Sequence, residues 1–327
     1  MDASSNDWST ALAAARQGLS RELTPTPLWR ASSLELPAGG DLFFKLETRQ
    51  ITGSFKYRAA LNGVLALSAD QRQRGVVASS SGNYAAALAE AARRCGVRAQ
   101  IVMTPSTAAF KVERTRARGA EVVFSEDRYA ARQELVDAIV AETGALALHP
   151  HSSVETLAGN ATCGDEILEQ LPACASIVVP TSGGGLLGGL ALAVERSGKK
   201  VALLAAQPTG NPTFVRSLAA GEPWHNPKVD SIADGLTADL PGQLGFAQAK
   251  RLRAVGGLAT DDQIRNAMGL LASQEGLAVE PSAAVGLAAV LAGAFPNLKP
   301  PLVIVLTGRN VDPQRYAHLL LNPPRKP

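Results

Sequence analysis

The chain has 327 residues, 46% of them apolar and 19% charged, with a net charge of +3. That length suits two medium domains or one large one. Basic residues are scattered among acidic ones and aromatics make up only 5%, so neither a basic stripe nor a base-stacking surface for nucleic acid is expected.

Met1 to Ser20 is polar and lacks the basic start and apolar core of a signal peptide, which predicts a cytoplasmic protein. Within it, Trp8 to Leu19 carries an amphipathic helical pattern. Pro25-Thr26-Pro27-Leu28 reads as extended, because each proline pushes its predecessor out of the helical region. A strand is expected over Leu42 to Leu46 and a helix over Ser54 to Leu67. The pattern then alternates: strand Gly75 to Ser79, helix Tyr84 to Cys95, strand Ala99 to Met103, helix Lys111 to Arg118, strand Glu121 to Phe124, helix Asp127 to Glu142. Further on come helix Thr156 to Leu171, strand Ser176 to Val179, a glycine-rich loop feeding a helix to Glu195, and strand Val201 to Ala205. Helices Asp261 to Gln274 and Ser282 to Ala292 precede a final strand, Leu302 to Leu306. Such alternation predicts open, mostly parallel sheets with helices on both faces.

The most regular stretch predicts a small domain over residues 74–151, with residues 1–73 and 152–327 forming a larger domain that the chain leaves and re-enters. The chain stops soon after the last strand, so no appended regulatory domain is expected. Cys95, Cys163 and Cys174 are odd in number and lack metal-ligand spacing, which predicts free thiols in a reducing compartment. The most apolar window, Ile177 to Val194, is broken by Pro180 and five glycines and is too short to span a bilayer.

Three stretches carry chemistry. In Thr52-Gly53-Ser54-Phe55-Lys56-Tyr57-Arg58-Ala59-Ala60 a lysine sits in apolar company. An amine turned into such a setting tends to be neutral and can form a Schiff base; the alternative is a surface lysine at a helix start capped by Ser54. Ser182-Gly183-Gly184-Gly185-Leu186 follows a strand and opens a helix. Its backbone N–H groups and the helix N-terminus suit a phosphate, although a flexible turn for close helix packing reads the same way. No Gly-Lys-Ser/Thr follows and no acidic residue closes the next strand, so it matches neither a Walker loop nor a dinucleotide fingerprint. Ser79-Ser80-Ser81-Gly82-Asn83 also joins a strand to a helix, where hydroxyls and N–H groups suit a carboxylate; an ordinary cap built from Ser81 or Asn83 is the competing account. Thr307-Gly308-Arg309-Asn310 follows the last strand, and in open α/β sheets ligands lie beyond the carboxyl ends of strands.

In this order the motifs resemble the serine/threonine dehydratase and serine racemase family, the fold-type II pyridoxal-phosphate enzymes. Ser54 to Ala60 match Ser-Phe-Lys-x-Arg-Gly-Ala except for Ala59, and Ser80 to Asn83 match Ser-Ser-Gly-Asn. Ser182 to Leu186, Ala233-Asp234-Gly235, Glu280-Pro281-Ser282 and Gly308-Arg309-Asn310-Val311-Asp312 follow in family order. The resemblance implies a tryptophan synthase β-like α/β fold of two open sheet domains with the active site between them. It implies pyridoxal 5'-phosphate as cofactor, a small-molecule amino acid as substrate and a homodimer, with no nucleic acid or membrane partner and no metal.

By the same resemblance Lys56 holds the cofactor as a Schiff base, Phe55 packs near its ring and Asn83 bonds its phenolic oxygen. Gly183, Gly184, Gly185 and Leu186 hold its phosphate, Thr307 meets the pyridine nitrogen, and Gly235 and Glu280 line its site. Ser80, Ser81, Gly82, Asn83, Tyr84, Arg132 and His151 become the substrate-binding residues, and Lys56 and Ser81 the catalytic ones. Arg132 reads equally as a solvated helix arginine. The implied reaction is β-elimination from a hydroxy amino acid, giving a 2-oxo acid and ammonia, with racemisation and then β-replacement as alternatives.

The chain departs from the family at Tyr84, where histidine is common, at His151, and at Asn160 within Ala158-Gly159-Asn160-Ala161-Thr162. These changes widen the expected substrates to phenylserine or 3-hydroxyaspartate. Gln207 and Thr213 stand where metal-binding racemases carry carboxylates, and hard cations want charged oxygen ligands.

Overall fold

The computed structural model describes residues 5–36 and 39–321; Met1 to Ser4 of the polar leader lie outside them. The first half holds α1 (Ser5–Glu22), β1 (Leu28–Arg30), β2 (Leu42–Leu46), α2 (Lys56–Leu65), α3 (Ala69–Arg74), β3 (Val76–Ser79), α4 (Asn83–Arg94), β4 (Ala99–Met103), α5 (Ala109–Arg116), β5 (Glu121–Phe124), α6 (Tyr129–Thr143) and β6 (Leu146–Ala147). The second half holds α7 (Val154–Gln170), β7 (Ser176–Pro180), α8 (Gly185–Ser197), β8 (Ala202–Pro208), α9 (Thr213–Ala220), α10 (Gln243–Arg251), β9 (Val255–Ala259), α11 (Asp261–Glu275), α12 (Pro281–Leu291), β10 (Leu302–Leu306) and α13 (Pro313–Leu321). Among the described residues no helix is long and apolar enough to cross a membrane.

The chain divides into two compact units, one formed by the chain to Leu23 with Lys56–Asn160, the other by Thr24–Phe55 with the chain from Ala161. This division differs from the expected one, which kept residues 1–73 out of the small domain. The reason is packing. Leu19 of α1 and Tyr57, Leu61 and Val64 of α2 share one core with Leu88 of α4 and Ile101 of β4. The alanines of α4, buried from Ala85 to Ala92, let α2 approach closely.

The first unit carries a four-stranded sheet in the order β5-β4-β3-β6, parallel throughout. Its strands alternate between two cores, as the two-residue period of a strand requires. Val76, Ala78, Ile101 and Met103 face the α2–α4 side, while Val77 and Val102 meet Val136 and Ile139 of α6.

The second unit carries a six-stranded sheet in the order β1-β2-β10-β7-β8-β9, with only β1 antiparallel to its neighbour. Along β10, Leu302, Ile304 and Leu306 enter one core, and Val303 and Val305 the other. Parallel strands buried on both faces read as continuous apolar runs, as Leu302–Leu306 does. β9 was not anticipated from sequence because Gly256 and Gly257 weaken a strand pattern. A Cβ at Gly256 would lie 2.6 Å from Val215 of α9, and one at Gly257 2.5 Å from Phe295 in the segment after α12, so both glycines serve close packing onto the strand.

Glu275 ties the end of α11 to the segment after β1. Its carboxylate accepts from the backbone N–H of Ser32 (3.1 Å), Ser33 (3.0 Å) and Leu34 (3.0 Å), from Ser32 Oγ (3.1 Å) and from Trp29 Nε1 (3.3 Å). Burial alone would raise its pKa, but the Ser33, Ser32 and Leu34 donors outweigh it and hold the carboxyl below its ordinary value. The stabilisation it provides is therefore present at neutral pH and lost as pH falls through that depressed pKa. Glu275→Ala is expected to lower stability at neutral pH by about 1 kcal/mol, since it removes charge-assisted hydrogen bonds and orphans the N–H of buried Leu34. Glu275→Gln should lose less. Urea unfolding at pH 7 and again in acid checks this, because the gap between wild type and variant should shrink in acid.

Candidate active site

Lys56 is the first residue of α2. Its Nζ donates to the Pro150 carbonyl at 2.7 Å and lies 5.9 Å from the centre of the Tyr84 ring. Part of the side chain remains accessible, while protein packed about the amine desolvates the ammonium form and lowers its pKa from 10.5 to about 8. The sequence expected the helix to begin at Ser54, with Ser54 as one possible cap. Ser54 instead makes an isolated bridge to Gly308, and its Oγ is buried without a hydrogen-bond partner.

His149, Pro150 and His151 close over the amine from the stretch between β6 and α7. The two imidazoles lie 4.5 Å apart between ring centres. His149 Nδ1 accepts from the backbone N–H of Ser152 at 3.0 Å. Thr156 Oγ1 donates to the His149 carbonyl at 2.7 Å and fixes the turn. Burial, and then the neighbouring Lys56, lowers the pKa of both histidines, His151 the more strongly. The Nδ1 of His151 is buried without a partner. Tyr84 is buried too, and that burial, with Glu155 in support, raises its phenol pKa. Asn160, flagged by the sequence, is fully buried and its side-chain amide has no partner.

Ser80, Ser81 and Gly82 join β3 to α4, and Asn83 and Tyr84 open the helix. The cap position is Gly82, which offers no side-chain hydrogen bond. Neither Ser81 nor Asn83 therefore supplies the ordinary cap that the sequence left open. The first N–H groups of α4 lack intrahelical partners by construction, and the junction carries the positive end of the helix. Thr107 Oγ1 donates to Ser81 Oγ at 3.0 Å. Arg132 lies on α6, where it lines an open depression of about 260 Å³ with Thr104, Asp127 and Arg128. Thr107, Pro150 and Thr156 were missed from the sequence, since no local motif marks a residue that acts through a distant partner.

In the second unit the glycine loop leaves β7 and opens α8. Gly184 has φ +87° and caps α8 without a side chain. A Cβ there would lie 2.3 Å from the Phe214 ring, and one at Gly245 would lie 2.5 Å from the Gly184 carbonyl. The loop is fixed from below by Gly242 N–H donating to the Gly183 carbonyl (2.9 Å) and Ala238 N–H to Ser182 Oγ (3.1 Å). Gly183, Gly184, Gly185 and Leu186 are all buried. They sit at the carboxyl end of β7, beside that of β10 in the sheet order.

At the end of β10, the carbonyl of buried Thr307 accepts from Phe55 N–H at 3.0 Å and Arg309 N–H donates to the Gly53 carbonyl at 2.9 Å. Asn310 Nδ2 donates to the Thr52 carbonyl at 2.9 Å, and Asn310 N–H donates to Glu280 at 3.0 Å. Gly235 N–H donates to Ser282 Oγ at 2.8 Å, and a Cβ on Gly308 would lie 2.6 Å from Glu280 Oε1. Phe55, Gly235, Glu280 and Thr307 are thus gathered around one strand end. Gln207 Oε1 accepts from Val215 N–H at 2.9 Å, and Thr213 donates to Asn211. Among the described residues no three His, Cys, Asp or Glu side chains are grouped to hold a metal ion.

A sequence profile described as "Pyridoxal-phosphate dependent enzyme" matches residues 19–308. The chain is 39% identical over 293 residues to a serine racemase of Arabidopsis thaliana, covering 88% of each protein. It is 35% identical over 312 residues to a phenylserine dehydratase of Ralstonia pickettii, covering 95% of each. Maize serine racemase superposes with a TM-score of 0.88 at 36% identity, over 94% of this chain and 98% of that one.

The residues present fit the cofactor that the profile names. An aldehyde finds a desolvated amine of lowered pKa at Lys56, and a phosphate finds an uncapped helix N-terminus behind side-chain-free Gly184. On cofactor-free protein, borohydride trapping of pyridoxal phosphate at Lys56 is expected to rise with a midpoint of about pH 8; a midpoint near the 10.5 of a solvated lysine would contradict the desolvated amine. Gly184→Asp puts a carboxylate and a forbidden Cβ into the loop, and cofactor affinity should fall at least about tenfold, roughly 1.4 kcal/mol. Unchanged affinity in equilibrium dialysis would count against the phosphate role.

Proposed function

Because the chain belongs to the pyridoxal-phosphate dependent enzymes, and its curated relatives are named racemases and dehydratases, we propose that it is a dehydratase. Its reaction would convert a β-hydroxy amino acid into a 2-oxo acid and ammonia. The observation that carries this reading is the placing of the Lys56 amine over the ring of Tyr84, in the first turn of the helix that Ser80–Asn83 open. A base and a carboxylate-binding junction are thereby neighbours within one unit.

When bound, pyridoxal phosphate supplies an aldehyde for the amine and an electron sink that acidifies the substrate α-carbon. Lys56 would hold it, with Phe55, Asn83, Gly235, Glu280 and Thr307 around the ring and Gly183 to Leu186 on the phosphate. Ser80, Ser81 and Asn83 would grip the substrate carboxylate at the junction that opens α4. Lys56, with its pKa lowered from 10.5 to about 8, would take the α-proton as general base, since the lowered pKa makes the free amine far more available near neutral pH than on a solvated lysine. Thr307 would offer a hydroxyl, not a carboxylate, toward the cofactor's ring nitrogen, a partner suited to a weaker electron sink and to loss of a β-hydroxyl.

His151 presents a buried imidazole nitrogen without a partner, a hydrogen-bonding position for a polar group on the substrate's β-carbon. Tyr84 and His151 support phenylserine or 3-hydroxyaspartate beside serine and threonine as substrates. A second reading, amino-acid racemisation, is supported by the racemase relatives and by Ser81, whose oxygen already accepts a proton donor from Thr107. Gln207 and Thr213, engaged with Val215 and Asn211, weigh against its metal-dependent form, because neutral side chains serve a hard cation poorly. A cytosolic homodimer is part of the proposal.

A screen of serine, threonine, phenylserine and 3-hydroxyaspartate for oxo-acid and ammonia release tests the reading. Release is expected from at least one, and Lys56→Ala should abolish both the release and the visible cofactor band, the loss in rate being at least about a hundredfold. Conversion of one serine enantiomer into its mirror image with no oxo acid from any compound would replace dehydratase by racemase.

A further inference from the structure

A line of hydroxyls runs from Ser81 to the surface of the first unit. Thr107 Oγ1 donates to Ser81 Oγ at 3.0 Å. Thr104 Oγ1 lies 3.2 Å from Thr107 Oγ1, and either can donate. Ser106 Oγ lies 3.1 Å from Thr104 Oγ1, to which it donates, and 2.8 Å from Asp127 Oδ1. Ser106 and Asp127 are exposed, and Thr104 and Asp127 line the open depression beside Arg132. Ser106 has one proton to share between Thr104 and Asp127, and when Asp127 takes up a proton from solvent and donates to Ser106, one orientation runs the whole line: Ser106 to Thr104, Thr104 to Thr107, Thr107 to Ser81. In that orientation the line does not use the proton of Ser81, so Ser81 can give it away.

Resting on the reading that Ser81 faces the substrate, we propose that Thr107, Thr104 and Ser106 form a proton relay that recharges Ser81 from solvent, so that Ser81 delivers solvent-derived protons to the substrate α-carbon. An aliphatic hydroxyl that gives up its proton leaves a costly alkoxide unless another donor refills it at once. Aligned hydroxyls do so, each bond polarising the next. In the step, the Ser81 O–H bond breaks as a C–H bond forms from the lone pair on the α-carbon. Thr107 then protonates Ser81, Thr104 protonates Thr107, and Ser106 protonates Thr104. A buffer acid restores Ser106, directly or through the Asp127 carboxylate. One proton enters from solvent for each C–H bond formed, and nothing is oxidised or reduced.

The relay gives the protein a second activity, inversion of amino acids that have no leaving group. Thr107 and Thr104 are positioning residues in this scheme, acting through Ser81. The test uses loaded enzyme and L-alanine in D₂O, with chiral analysis and mass spectrometry of the product and a cofactor-band titration for Kd. Wild type should form D-alanine carrying deuterium at the α-carbon. Thr107→Val should slow inversion by about tenfold or more, at the modest end of acid–base effects, with Kd for alanine within about twofold of wild type. Thr107→Ser should restore it, and Thr104→Val should act like Thr107→Val if the latter folds poorly. A plot of inversion rate against deuterium fraction should bow in wild type and straighten in the variants, a change that loss of packing alone would not produce.

Wild type without inversion, or valine variants that invert at the wild-type rate, would overturn the relay. Inversion that responds to Thr107 without oxo-acid release from any hydroxy amino acid would leave the relay standing and the dehydratase reading refuted. Oxo-acid release with inversion indifferent to Thr107 would do the reverse.

Discussion

The clamp between Thr52–Phe55 and the end of β10 is the constraint on which the rest of the site depends. Three hydrogen bonds make it: Phe55 N–H to the Thr307 carbonyl and Arg309 N–H to the Gly53 carbonyl, which together form the Ser54–Gly308 bridge, and Asn310 to the Thr52 carbonyl. Backbone pairing of this kind fixes φ and ψ as well as position, so the peptide entering Lys56 has little freedom. Gly53 makes it possible with φ +77°, where a Cβ would lie 2.7 Å from Asn310 Oδ1. The helix then starts at the lysine itself. A helix begun two residues earlier would have rotated that side chain by about half a turn, at 3.6 residues per turn.

Electrostatically the two units use the same device on different groups. α4 and α8 both begin at a glycine that offers no side-chain cap, which leaves N–H groups available to an anion. In most helices a serine, threonine or aspartate consumes those donors, as Thr260 does for α11 and Ser68 for α3. Other helices, α5, α9 and α10 among them, also start without a side-chain cap, so an open terminus supplies donors without by itself marking a binding site.

Much of this was legible in the sequence because it is local. Continuous apolar runs marked β7 and β10, and glycines or serines at a strand–helix junction marked the anion-binding turns. What stayed hidden was long-range. The alliance of α1 and α2 with α4 depends on which apolar face meets which sheet, and Leu19 and Tyr57 carry no sign of that. β9 was concealed by Gly256 and Gly257, whose purpose appears only beside Val215 and Phe295. Pro150 offers a carbonyl, a group every residue has, so nothing in the chain's letters identified it as the acceptor for Lys56. Thr107 was invisible for the same reason, since an isolated threonine gains meaning only beside Ser81.

The rings around Lys56 have a consequence for how the protein responds to its medium. Burial lowers the pKa of His149 and His151 and raises that of Tyr84, so all three are uncharged near neutrality. Beside the Lys56 amine, a bound zwitterion would therefore meet aligned dipoles at the α4 junction and neutral π-systems. Partial burial of Ser80 to Asn83 reduces the screening that mobile ions exert on such a helix terminus, whereas paired charges at a surface weaken as the Debye length contracts. Catalysis at this site should accordingly tolerate ionic strengths that would dissociate a ligand gripped by exposed lysines.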